Sequence, residues 1–167
     1  MNRNSNVMAK YYECAEYSPK FQLDVLGVGN NELIDPILDI GCGDGSLVKY
    51  FLTDHQRVFG IDRNQTNVKN VIDANWLNFD YGKEKWGTII SHMSFTNHFS
   101  YHYLQNDGVD ISFAKTYMKI LQSLIHEGTW YYVPSVPFIE DLLPEEKYTV
   151  FREYAAANVY RTKIVKN

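Results

Sequence analysis

The sequence predicts an α/β fold: a doubly wound, mostly parallel sheet of seven strands, closed by an antiparallel C-terminal strand pair. Three observations predict it. Short apolar runs alternate with helical segments from Pro36 to Val133. The first run, PILDI at Pro36–Ile40, is apolar on both parities, as a strand covered on both faces must be. The last stretch, Tyr148 to Val165, instead alternates as antiparallel strands do.

Met1 to Asn6 is polar and expected to fray. Val7 to Leu26 carries a helix through AKYYECAEY, broken near Pro19, and Gly27, Gly29, Asn30 and Asn31 mark a turn. Residues 1–30 are therefore read as a lid or cap segment on a single domain spanning 1–167. After the PILDI strand, Ser46 to His55 is helical, with Leu47, Val48, Phe51 and Leu52 at helical spacing. Val58–Ile61 is the next strand, and Asn64 to Asn70 a short helix or turn. Val71 and Ile72 form a minimal third strand, Ala74 to Lys85 a connection, and Thr88–Ile90 a fourth strand.

His92 to Asp107 reads as a long loop crowded with His, Tyr and Phe. Ile111 to His126 is the strongest helix, since Phe113, Ala114, Tyr117, Ile120, Leu121, Leu124 and Ile125 share one broad face. Asp110 is its N-cap and Gly128 its C-terminal cap. Thr129–Val133 is a fifth strand, and Phe138–Leu143 a turn or two of helix stopped by Pro144. Tyr148–Tyr154 and Val159–Val165 close the sheet.

Composition narrows the function. Sixteen basic residues against twenty acidic ones give a net charge of -4, which offers no broad electrostatic reason to hold nucleic acid. Two cysteines, Cys14 and Cys42, do not make a disulfide framework and read as reduced thiols in a cytoplasmic protein. The N-terminus lacks the apolar stretch of a signal peptide, and no run approaches a membrane span, so no membrane partner is expected.

The segment ILDIGCGDGSL, Ile37 to Leu47, carries the chemistry. A glycine-rich turn between strand and helix lets backbone press against a ligand, and the new helix offers unpaired N–H groups. The pattern is G-x-G-x-G behind Asp39, and Ser46 breaks the dinucleotide fingerprint G-x-G-x-x-G. Asp62 ends the next strand, where a carboxylate accepts hydrogen bonds from both ribose hydroxyls. Asp73 ends the third and reaches toward an adenine amino group. Each is also an ordinary turn or cap residue taken alone; as a row with Asp39 they point to a nucleoside.

On these residues the chain resembles the class I S-adenosylmethionine-dependent methyltransferases. LDIGCGDG is similar to their first motif, VFGID brings Asp62 onto the ribose-binding acid, and VIDANWLNF resembles the adenine-contacting segment. The resemblance implies a Rossmann-like sheet and S-adenosylmethionine as cofactor, held by Asp39, Gly41, Cys42, Gly43, Gly45, Asp62, Asp73, Ala74 and Ser91. It implies methyl transfer to an oxygen or nitrogen of a small-molecule acceptor. A protein or RNA acceptor, or a catalytically silent binding protein, is the alternative. WGTIISHMSFTNHF resembles the fourth-strand motif, with His98 at a histidine common in small-molecule members. Two departures stand out. Gly87 replaces an aspartate usual before the fourth strand, and only eleven positions separate Asp62 from Asp73.

Methyl transfer needs alignment more than a triad, and a base only where the acceptor must lose a proton. His98 is the first base candidate and His92 the second. Tyr11, Tyr12, Phe95, Phe99, His102 and Tyr103 are expected to wall the substrate, with Tyr17 and Tyr101 as further aromatics of the same kind and Trp76 under the adenine side or against the sheet. No metal ligand cluster is evident, and a homodimer is compatible with the aromatic content.

Overall fold

The computed structural model describes residues 17–29, 31–64, 66–156 and 158–167. Helix α1 (Pro19–Leu26) opens them. Ser18 Oγ accepts the Phe21 N–H, Pro19 occupies the first turn, and Gly27 ends the helix at φ 68°. Pro19 thus starts a helix where the sequence pattern suggested a break; proline is tolerated there because the first-turn N–H groups have no intrahelical acceptor.

Strand β1 (Ile37–Ile40) is buried at every position and lies inside the sheet, between β2 and β4. It leads through the glycine loop into α2 (Ser46–Phe51), shorter than the pattern suggested, and then into β2 (Val58–Asp62) and β3 (Val71–Asp73). Between β2 and β3 no helix forms among the described residues. Strand β4 (Trp86–His92) returns to the other side of β1 and is followed by α3 (Phe95–Asn106) and α4 (Ile111–Ser123). Strand β5 (Leu124–Val133), the short α5 (Pro137–Glu140), β6 (Tyr148–Ala156) and β7 (Val159–Lys166) complete the order. The seven strands run β3-β2-β1-β4-β5-β7-β6. The first five are parallel and the β6–β7 pair antiparallel.

Two further expectations change. The His92–Asp107 loop is mostly helix α3. Its aromatic, β-branched and amide residues have modest helix propensity and no legible stripe, and burial of Phe95, Thr96 and Phe99 supplies the stability. Asp110 does cap α4, accepting from the N–H groups of Ser112 and Phe113. That helix, however, stops at Ser123, so Gly128 is a residue of β5 and not a cap. A Cβ on Gly128 would press on the carbonyls of Ile125 and Trp86, at the register shift between β4 and β5.

Side chains of the central strands alternate between two cores. Leu38, Ile40, Ile89, Phe95, Phe99, Tyr117 and Trp130 pack on the face covered by α3 and α4. Ile37, Ile90, Leu23, Leu26, Leu47 and Val48 pack on the face covered by α1 and α2. The departure at Gly87 has a steric cause: any Cβ there would collide with the Ile34 carbonyl, where the chain entering β1 crosses beside β4. The C-terminal pair is fastened by buried Glu140. It accepts from Tyr132 (2.7 Å), Val136 N (2.7 Å) and Thr162 (2.9 Å) and ion-pairs with Arg152.

Candidate functional site

Strand order reverses between β1 and β4, and in an open parallel sheet the crevice beyond the carboxyl ends at that reversal is where ligands bind. The glycine loop sits there. Gly41, Gly43 and Gly45 have φ of 72°, 56° and 78°, conformations that side chains resist. Two of these glycines differ in what surrounds them. A Cβ on Gly41 would collide with Ser94, whose hydroxyl donates to the Ile40 carbonyl at 2.6 Å. A Cβ on Gly43 would meet nothing within 4 Å. Bare backbone facing open space is what a bound group needs in order to approach closely.

Asp62 holds this loop open. Its carboxylate accepts from Gly43 N at 2.9 Å and from Asn64 N at 2.8 Å, which leaves lone pairs on both oxygens for a ligand hydroxyl. Asp73 stands directly opposite Asp62 in the β2–β3 register and is exposed. Ala74 donates its N–H to the Asp62 carbonyl at 2.9 Å, locking the two strand ends together. Cys42 turns its side chain into the core beneath the loop, where burial and the nearby carboxylates raise the thiol pKa, and its N–H is spent on the Ile61 carbonyl. Its part is to shape the loop.

Asp39 is buried, and its Oδ2 has no hydrogen-bond partner. Burial, then the charges of Asp62 and Asp44, push its carboxyl up to about 7. The other buried polar atoms without a partner among the described residues are Ser91 Oγ, His92 Nε2, Thr96 Oγ1 and Trp130 Nε1. Ser91 and His92 end β4, and Thr96 lies in the first turn of the helix after it. Four of these five groups collect around the crevice, where a ligand would complete them, while Trp130 is a core ring of β5.

The remaining candidates divide. His98 packs edge-on to Trp76 at 4.9 Å between centroids, and Trp76 lies 3.3 Å from where a Gly41 Cβ would stand. His92 packs against Tyr17 and Phe21 of the N-terminal helix region. Burial lowers both histidines to about 4, helped at His98 by the charges of Arg63 and His102. His102 packs at a tilt on Phe113, 4.8 Å between centroids, and lies 3.7 Å from Asp110, and Tyr103 lies flat on Phe138 at 4.0 Å. Phe95 and Phe99 are 0 % exposed, packed on Phe113 and Trp130 or Tyr117, so they are core residues and not a substrate wall. Tyr11 and Tyr12 lie outside the described residues. Sequence reasoning missed Ser94, Arg63 and Phe21. Nothing local marks Ser94 as the neighbour of Gly41, because the two meet only through the packing of β4 beside β1.

No group of three or more potential metal ligands is found among the described residues, and no helix among them is long and apolar enough to cross a membrane. No family model matches the chain, and no curated protein matches it by sequence. Solved structures do match. The plantazolicin methyltransferase BpumL, in complex with a triazolic desmethylPZN analog and SAH, aligns over 98% of this chain and 90% of its own at TM-score 0.65 and 15% identity. Magnesium protoporphyrin IX methyltransferase (ChlM) from Synechocystis PCC 6803, with bound SAM, aligns over 99% and 92% at TM-score 0.59 and 13% identity. An rRNA methylase from Streptococcus thermophilus aligns over 92% and 99% at TM-score 0.52 and 14% identity. A central strand ending in a glycine loop, the order β3-β2-β1-β4-β5-β7-β6 and these matches together establish that the chain has the class I S-adenosylmethionine-dependent methyltransferase fold.

Proposed function

We propose that this protein binds S-adenosylmethionine and transfers its methyl group to an oxygen or nitrogen of a small molecule. The observation that carries the reading is the conjunction at the crevice: unpartnered Asp39 Oδ2, open space over Gly43, and Asp62 with lone pairs to spare. An orphaned carboxylate fits the cationic amino-acid end of the cofactor, and Asp62 fits its ribose hydroxyls. Asp73, at the next strand end, is placed for the adenine side. When bound, S-adenosylmethionine supplies a methyl group on a positively charged sulfur, already activated for displacement. The protein then has to hold, align and dehydrate.

His98 and His92 are the two histidines at the crevice, and one of them is placed to take an acceptor proton. Their lowered pKa keeps both rings neutral at neutral pH, the form that accepts a proton. A small acceptor is favoured over a nucleic acid by the net charge of -4, which gives a polyanion little to hold.

The test is calorimetric titration of the full chain with S-adenosylmethionine, wild type beside Asp62→Ala. The expected result is a micromolar Kd, about -8 kcal/mol, weakened tenfold or more in the folded variant. No binding by folded wild type would overturn the reading. Radiolabelled methyl transfer into a small-molecule fraction, against RNA and protein fractions, then decides the acceptor class.

A further inference from the structure

Resting on that reading, we propose that the two histidines serve opposite halves of the site. In this assignment His98 belongs to the cofactor half, and His92, with Tyr17 and Phe21, forms the acceptor subsite for an uncharged planar ring bearing an O–H or N–H group.

The division follows from which strand ends each histidine meets. Arg63 follows β2 and Trp76 follows β3, on the Asp62–Asp73 side of the glycine loop. The Arg63 guanidinium lies 5.9 Å from the Trp76 ring centroid, and His98 meets the same ring at 4.9 Å and 67°. The Arg63 charge also reaches the His98 imidazole. Although His98 follows β4 in the chain, α3 carries it across β1 toward the nucleoside side.

His92 sits on the other side, at the end of β4. By strand alternation it shares a sheet face with Ile90 and with Asp39, the register partner of Ile90 on β1. That is the face covered by α1. Tyr17 meets the His92 ring at 5.4 Å and 78°, Phe21 at 6.3 Å and 80°, and the two stack on each other at 4.8 Å. Nε2 of His92 is buried and unpartnered, yet the rings beside it are 41 % and 46 % exposed. The group packed over a lone polar nitrogen is thus a pair of half-open aromatic side chains, which a ligand ring can stack on or displace. Exposed side chains change rotamer within nanoseconds, so this needs no backbone motion.

The backbone at this corner supports the same assignment. Met93, directly after His92, has φ 48°, a left-handed conformation that costs a non-glycine residue energy. Ser94 then wedges against Gly41 and donates to the Ile40 carbonyl. The strained turn ties the end of β4 to the glycine loop and fixes His92 beside it. Aromatic faces recognise flat rings in offset or edge-on arrangements, and a neutral imidazole nitrogen accepts one hydrogen bond from the ring's own O–H or N–H. Among the described residues, the rings of this cluster, Tyr17, Phe21 and His92, carry no fixed charge to attract an anionic acceptor.

The test uses the full chain and two readouts. S-adenosylhomocysteine is titrated by calorimetry into wild type, His98→Ala and the double variant Tyr17→Ala/Phe21→Ala. Phenol and indole, with cyclohexanol as the saturated counterpart, are then tested by ligand-detected NMR at saturating S-adenosylhomocysteine. The expected results are a roughly tenfold loss of S-adenosylhomocysteine affinity in His98→Ala and a change under about twofold in the double variant. Phenol and indole contact wild type, cyclohexanol does not, and the double variant loses the contact. Where His98→Ala lowers Tm, His98→Gln replaces it. Unchanged S-adenosylhomocysteine affinity in the folded His98 variant would overturn the assignment, as would planar probes that fail to bind or bind the double variant equally. Failure of wild type to bind S-adenosylhomocysteine would overturn the cofactor reading itself, and this assignment with it; that outcome is distinct from loss of the planar probes alone.

Discussion

Asp39→Asn separates the stability of this site from its function. The carboxyl of Asp39 rises from 3.8 to about 7 inside the fold, chiefly because burial penalises its charge. A folded-state pKa above the unfolded one means the native state holds the proton more tightly. The stability from that proton is complete below about pH 4 and is lost as pH rises through about 7. Three pH units correspond to about 4 kcal/mol, an upper bound on what ionising Asp39 costs the empty protein at pH 8. An asparagine avoids that cost but buries an amide N–H pair without acceptors, at about 1–3 kcal/mol. The net expectation at pH 8 is a gain of about 1–3 kcal/mol, or roughly 3–9 °C in Tm for a chain of this size. At pH 4 Asp39 is protonated, so only the amide cost remains and the variant should be about 1–3 kcal/mol less stable than wild type. Thermal unfolding by circular dichroism at the two pH values measures both. In the same variant S-adenosylhomocysteine should bind at least tenfold more weakly, because the ligand's ammonium loses its carboxylate. An Asp39→Asn protein destabilised equally at pH 4 and pH 8 would refute the reasoning, since the carboxylate would then not be a strained charge awaiting a cation.

Other substitutions read other parts of the structure. Gly43→Ala places a Cβ in open space at φ 56°, so unfolding should show a loss of only about 1 kcal/mol while S-adenosylhomocysteine titration shows a much larger loss of affinity. Arg152→Met strips the buried Glu140 carboxylate of its cation; with Arg152 partly solvated, about 2–4 kcal/mol should be lost in urea unfolding, and Glu140→Gln in the same chain should restore part of it. Phe99→Ala should cost about 3–5 kcal/mol by the same measurement, as expected of a core ring, whereas a substrate-wall residue would leave stability nearly intact.

Much of the fold was legible because its signals are local. A strand buried on both faces is apolar on both parities, so PILDI announced β1 as an interior strand of the sheet. A tight strand-to-helix turn requires positive φ, so Gly41, Gly43 and Gly45 announced the loop, and acids at successive strand ends announced Asp39 and Asp62 around it. The apolar stripe and Asp110 announced α4. Helix α3 stayed hidden because its stability comes from burying Phe95 and Phe99 against Phe113 and Trp130, partners that no window of sequence contains.

The sequence by itself determined the sheet's parallel core, the glycine loop and the row of acids, because each is a rule about one residue and its chain neighbours. Tertiary structure alone decided which side chains meet. It placed Ser94 against Gly41, carried His98 across to Trp76, set Tyr17 and Phe21 on His92, and sank Phe95 and Phe99 into the core. Those contacts join residues far apart in the chain. Strand order and helix packing bring them together, and local propensity carries no record of either.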